Sequence, residues 1–387
     1  MNEVARLLVE LGAVVLGLGL VARLASRWSI SPIPLFLIAG LALGEGGILP
    51  IVTSEEFIEV GAEIGVIFLL LMLGLEYSAD ELVAGMRSVA PSGVVDLAFN
   101  FVPGLVAGLL LGWPLVPSLF LGGVTYISSS GVVAKLLGDM GWTGNRETPT
   151  VLSLLVFEDL VMAILLPILG VLALGGTFMG AVLAISVALI VMIGTIAFAY
   201  RQGDKVGAFI FHTSDEVSLL TVFGLTLVVS GLAEGIGISA AVGAFLVGIS
   251  VSGPAADRAR ALLTPLRDLF AAVFFLFFGL STDPGAISGV LLVAVALGVV
   301  TAFTKFATGN WAARRAGSSE RGRVRAGLLL IPRGEFSIII AGLGAGLVGG
   351  EQLPALAAVY VLLMVIAGPL VVRLHQTWIA NPVSVAK

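Results

Sequence analysis

Apolar residues occupy this chain in blocks, broken by short stretches of charge, glycine or proline. Most blocks approach the ~20 residues a helix needs to cross a bilayer core. They fall at 5–22, 33–50, 57–75, 88–112, 115–137, 149–173, 176–199, 216–234, 238–252, 264–280, 286–308, 324–348 and 354–376, and predict about 13 transmembrane helices. Two blocks are interrupted. The fifth carries Thr125, Tyr126, Ser128, Ser129 and Ser130 ahead of Gly131, and the twelfth carries Pro332-Arg333-Gly334-Glu335. Such residues free backbone groups at membrane depth, tolerated only against protein or a watery cavity. With 176–199 as a linker between halves at 5–173 and 216–376, both interruptions fall in the fifth of six helices. Matched interruptions point to inverted repeats with a transport site between them.

The basic residues test this layout. With the N-terminus outside, every Lys and Arg except Arg6, Lys305 and Arg333 falls in a segment on the inner side, as the positive-inside rule requires. The C-terminus is then cytoplasmic, and 200–216, 253–268 and 309–325 are expected inner loops. The basic run from Arg314 to Arg325 sets topology or docks anionic lipid or a partner.

Composition fixes the class. Residues are 58% hydrophobic and 12% charged, with mean hydropathy +1.11, against about 25% charge in a soluble domain. The expected fold class is an all-α polytopic membrane protein, a single transmembrane domain over 1–387. No cysteine is present, which excludes disulfides and thiol chemistry. Two histidines, His212 and His375, do not suggest a metal centre, and no cleavable signal is evident. No nucleotide-binding or hydrolytic motif stands out, so an enzyme is not expected, nor any cofactor, nor a nucleic-acid partner.

Charge at depth is the chemistry that remains. Glu158 and Asp159 lie side by side within the sixth block, and an ionisable residue there normally lines an ion or proton path. Neighbours point about 100° apart on a helix, so one of the two faces a given pocket squarely. Asp159 is the expected carrier and Glu158 its neighbour; the alternative is a structural ion pair. Lys305 sits deep in the eleventh block and calls for a carboxylate, Glu158 or Asp159, unless it snorkels to the interface. Arg333 and Glu335 are expected to pair with carboxylates or with each other. Asp96 and Asn100 share one helix face, while Glu63 and Glu76 are expected near opposite ends of the third span. A carboxylate in a dry pocket binds either a proton or a desolvated monovalent cation, and carrying the two alternately exchanges them.

Taken in order, these residues resemble a known family. Leu69–Glu76, Ile127–Gly131, the Glu158–Asp159 helix, Phe274–Asp283, Lys305 and Gly334-Glu335-Phe336 are together similar to the membrane domain of monovalent cation:proton antiporters, in the branch of bacterial potassium/proton exchangers of the Kef/Kht type. The resemblance implies a sodium/proton antiporter-like fold with two crossed broken helices, a scaffold bundle and a mobile core. It also implies elevator-type alternating access, a homodimer in the bacterial cytoplasmic membrane, and a role in pH homeostasis. It makes Asp159 the ion- and proton-binding residue, the site for K+ or Na+. The preceding position, commonly Asp, Asn or Gln in such proteins, is Glu158 here. Glutathione-gated exchangers carry a C-terminal nucleotide-binding domain, which is not expected after Gln376–Lys387. Two-component exchangers instead use a separate cytosolic subunit with a ligand-sensing domain. Gly144–Pro149 resembles that subgroup and favours K+. A Na+/H+ antiporter of the same fold is the nearest alternative. A sodium-coupled organic-anion symporter fits less well, because an anionic substrate prefers amides and helix N-termini to paired carboxylates.

Overall fold

The computed structural model describes residues 3–27, 32–44, 55–76, 79–173, 214–235, 240–251 and 254–380, with single positions and short pieces between 182 and 210. Among the described residues every regular element is an α-helix. They are α1 (Glu3–Arg27), α2 (Ile33–Leu43), α3 (Glu55–Glu76), α4 (Ala79–Leu110), α5 (Leu115–Tyr126), α6 (Ser130–Asp139) and α7 (Thr148–Ala173). After them come α8 (Asp215–Gly235), α9 (Ala240–Ser250), α10 (Pro254–Leu280), α11 (Pro284–Arg315), α12 (Glu320–Leu329), α13 (Glu335–Leu343) and α14 (Leu353–Ala380).

Seven helical stretches among the described residues are long and apolar enough to cross a membrane: Ala90–Leu110, Leu115–Asp139, Thr148–Ala173, Asp215–Gly235, Ala255–Leu280, Pro284–Arg315 and Leu353–Gln376. The second covers α5, the break at 127–129 and α6. The block at 176–199 lies almost wholly outside the described residues. Two expected inner loops are instead helical. Pro254 opens α10 through the basic residues Arg258, Arg260 and Arg267, since proline suits the first turn of a helix. α11 runs on to Arg315, Gly317 reverses the chain at φ +75°, and Ser319 caps α12 by accepting from Gly322 N. Glu63 lies inside α3 rather than at its end, and is exposed.

The chain divides into two compact units. One comprises 1–87 with 160–283, the other 88–159 with 284–387. In the first, α10 packs on α2 and α3, and α9 packs on α3 and α8. Glycines sit at close approaches between these helices. A Cβ on Gly40 would lie 2.3 Å from the Leu276 carbonyl oxygen, and one on Gly74 would lie 2.3 Å from that of Phe245. Backbones meeting without side chains between them gain dispersion contact, the usual packing device where lipid supplies no hydrophobic drive.

In the second unit α11 packs on α12 and α14, while α13 packs on α5 and α14. Helix α11 shows how this unit is sorted. Ala294, Leu297, Thr301, Lys305 and Thr308 recur at helical spacing and are buried, whereas Leu292, Val299 and Phe303 are exposed. Its polar atoms turn inward and its large apolar groups outward, the arrangement suited to a lipid surround.

Candidate functional site

Two helix breaks meet inside the second unit. α5 stops at Tyr126 because Ile127 adopts an extended backbone (φ −79°, ψ 133°), and α6 restarts after Ser129. The second break spans Leu330 to Gly334, between α12 and α13. Ser129 N donates to the Pro332 carbonyl at 2.9 Å, joining them backbone to backbone. A Cβ on Gly334 would fall 2.4 Å from Ser129 Oγ, so glycine lets the two strands of chain touch.

Each break orphans the carbonyls of one helix end and the amides of the next. Arg333 serves the carbonyls of both. Its Nη1 donates to Leu330 O (3.0 Å) and Ile331 O (2.9 Å), and its Nε to Thr125 O (3.2 Å) and Tyr360 Oη (3.1 Å). Ser337 Oγ donates to Val124 O at 2.8 Å. At the amide ends, the Glu335 carboxylate begins α13 and accepts from Ser129 Oγ at 3.2 Å, beside the start of α6. Cations favour helix C-termini and anions N-termini, so each charge has the sign its position needs. Their partners here are therefore carbonyls and hydroxyls, where the sequence suggested carboxylates or each other. Arg333 exceeds that expectation because a guanidinium offers five donors in a fixed fork.

Beside the breaks lies a buried charge cluster. Lys305 Nζ donates to Asp96 Oδ2 at 2.6 Å and Glu158 Oε1 at 2.8 Å, with all three residues 0% exposed. The second oxygen of Glu158 accepts from Ser128 N, and Ser128 Oγ lies 3.1 Å from Oε1. Asp96 Oδ1 accepts from Thr308 Oγ1 at 2.8 Å and from Asn100 Nδ2 at 3.0 Å. Thr304 Oγ1 donates to Asn100 Oδ1 at 2.7 Å, and Thr125 Oγ1 lies 2.8 Å from Asn100 O. Lys305 also sits over the Tyr126 ring, 5.2 Å from its centre. A buried ion cluster is tolerable only when its remaining lone pairs and protons are satisfied this fully.

Asp159 follows Glu158 on α7 and is 2% exposed. It lies within Coulombic reach of Tyr126, as do Asp96 and Glu158. The candidate site residues Thr125, Tyr126, Ser128, Ser129, Ser130, Gly334, Glu158, Asp159, Lys305, Arg333, Glu335 and Asp96 all fall in this one unit, whereas Glu63, Glu76 and residues 274–283 fall in the other. Thr304, Thr308, Ser337 and Tyr360 were not anticipated. The threonines had a signal, since Thr301, Thr304, Lys305 and Thr308 form a polar stripe at helical spacing; Tyr360 and Ser337 had none in an apolar context.

A family model described as sodium/hydrogen exchanger, transmembrane, matches residues 12–376. The K(+)/H(+) antiporter subunit KhtU of Bacillus subtilis is 35% identical over 378 residues, covering 95% of this chain and 93% of that protein. The ammonium/H(+) antiporter subunit AmhT of Alkalihalophilus pseudofirmus is 31% identical over 380 residues, covering 97% and 94%. Among solved structures, the sodium proton antiporter MjNhaP1 from Methanocaldococcus jannaschii superposes with TM-score 0.70 at 17% identity, over 95% of this chain and 99% of that one. That likeness concerns the fold.

Proposed function

Because the chain belongs to the transmembrane sodium/hydrogen exchanger family, we propose that it exchanges a cytosolic monovalent cation, K+ in the first instance, for protons at Asp159. The observation that carries this reading is a pair of adjacent buried carboxylates in the unit that holds both helix breaks. Glu158 is committed on one oxygen to Lys305 and on the other to Ser128 N, so it stays paired through the cycle. Asp159, next to it and buried, takes a proton or a cation in turn. One titrating carboxylate gives one proton per cation. Choice of K+ is supported by the relative named a K(+)/H(+) antiporter subunit. A second reading, Na+, is supported by the matched family's description.

In this proposal the cation enters from the cytosol, replaces the proton on Asp159, and is released outside when external protons displace it. The meeting breaks supply the device. Their backbone ends face one another in a unit that holds the whole charge cluster, and that unit carries the site between the two sides by elevator-type alternating access. Thirteen spans, an external N-terminus, a cytoplasmic C-terminus and a homodimer complete the arrangement. Two relatives are called antiporter subunits, which supports a separate cytosolic regulatory partner for this chain too.

The test is proton movement in proteoliposomes loaded with a pH-sensitive dye, with K+ and Na+ added separately. K+-driven dequenching supports the first reading and Na+-only dequenching the second. No response to either cation contradicts both.

A further inference from the structure

Of the buried hydroxyls described at the two breaks, those of Thr125, Ser128, Ser129 and Ser337 all have partners. So do Thr301, Thr304 and Thr308 on α11 and Tyr360 on α14. Tyr126 is the departure. Its residue is 0% exposed, yet its Oη has no hydrogen-bond partner among the described residues. Buried polar atoms are rarely left so, because they lose their hydration without a hydrogen bond in return. Chemistry narrows what completes it. A phenol oxygen presents lone pairs to a cation, and Tyr126 ends α5, where the helix dipole favours positive charge. Its ring already carries the Lys305 ammonium on one face. Asp96, Glu158 and Asp159 all lie within electrostatic reach of the tyrosine. Arg333 Nη2 is likewise without a hydrogen-bond partner, but a guanidinium has donors only and repels a cation.

We propose that the Tyr126 hydroxyl is a neutral oxygen ligand of the transported cation, sharing it with Asp159. This assignment rests on the exchange reading above and adds a residue that sets cation affinity. The phenol replaces part of the ion's hydration shell without adding charge. Proton binding at Asp159 needs no such ligand, so the hydroxyl acts on the cation half of the cycle alone.

Tyr126→Phe removes the oxygen and keeps the ring under Lys305. In proteoliposomes it is expected to raise the KM for K+ about ten-fold, the equivalent of ~1.4 kcal/mol, while the maximal rate changes little. A maximal rate that falls with KM unchanged would make the tyrosine structural and overturn the proposal. An unchanged KM and rate would overturn it as well. A second measurement guards against a poorly inserted variant: K+-induced thermal stabilisation of the purified full chain in detergent. The half-effective K+ concentration must shift upward in Tyr126→Phe, and an unshifted value rejects the ligand role. Wild type that K+ stabilises but that moves no protons contradicts the exchange reading, and the stabilisation shift then decides the ligand separately.

Discussion

Two carboxylates share one ammonium at the centre of the second unit, and removing either sign has different consequences. Lys305→Ala leaves Asp96 and Glu158 buried without their cation, a loss of about 3–5 kcal/mol for breaking a buried pair. Asp96→Asn keeps the Lys305–Glu158 contact and is expected to cost less. Thermal unfolding of the purified protein should rank wild type above Asp96→Asn above Lys305→Ala. Asp159 makes a different prediction. If cation and proton compete for it, acidification raises the apparent KM for K+, by up to about ten-fold per pH unit, with the maximal rate unchanged. A falling maximal rate at constant KM would mean separate sites. At this scale the sequence showed the charged residues and offered Glu158 as one of two partners for Lys305, a pair the structure contains, but not Asp96 as the other. Lys305 and Glu158 are 147 positions apart and Lys305 and Asp96 are 209 apart, separations that only the packing of α4, α7 and α11 closes.

Helix ends govern the next scale. The breaks were visible because proline, glycine and a serine run are poor residues for an uninterrupted span. Their joining was not, because the Ser129–Pro332 hydrogen bond depends on where two distant segments meet. Gly334→Ala tests that joining. The added Cβ would push against Ser129 Oγ, so exchange should fall strongly while the protein still inserts and purifies. In the first unit, Gly40→Ala meets a backbone carbonyl, and overpacking of this kind costs ~1–3 kcal/mol. Gly12→Ala meets nothing within 4 Å and is expected to leave stability unharmed, since alanine is the better helix former by up to about 1 kcal/mol. Comparing the thermal unfolding of the two separates close packing from glycine content. Helix extensions were the poorest part of the sequence reading. Basic segments read as inner loops carry the first part of α10, the end of α11 and the start of α12, because hydropathy marks what enters lipid and is silent about polar helix beyond it.

Across the whole molecule, segments alternate between the two units along the chain, so neither half of the sequence builds a unit alone. Hydropathy located the seven long apolar stretches found among the described residues, since a bilayer demands long apolar runs, but it carries no sign of which runs share a unit. Absence of cysteine offers a direct probe of alternating access. Ser130→Cys, partly exposed at the start of α6, should react with a membrane-impermeant thiol reagent from either face of the vesicle, with the favoured face changing as cation and proton gradients are reversed. Reaction from one face only would contradict the elevator reading. Exchange at Asp159 is tested most directly by cation-driven proton movement in proteoliposomes carrying Asp159→Asn. The amide keeps size and burial but cannot take up a proton in exchange for a cation, so K+ and Na+ should both leave the dye signal flat while Glu158→Gln retains measurable exchange. Proton flux persisting in Asp159→Asn at wild-type rates would place the exchange elsewhere and contradict the mechanism.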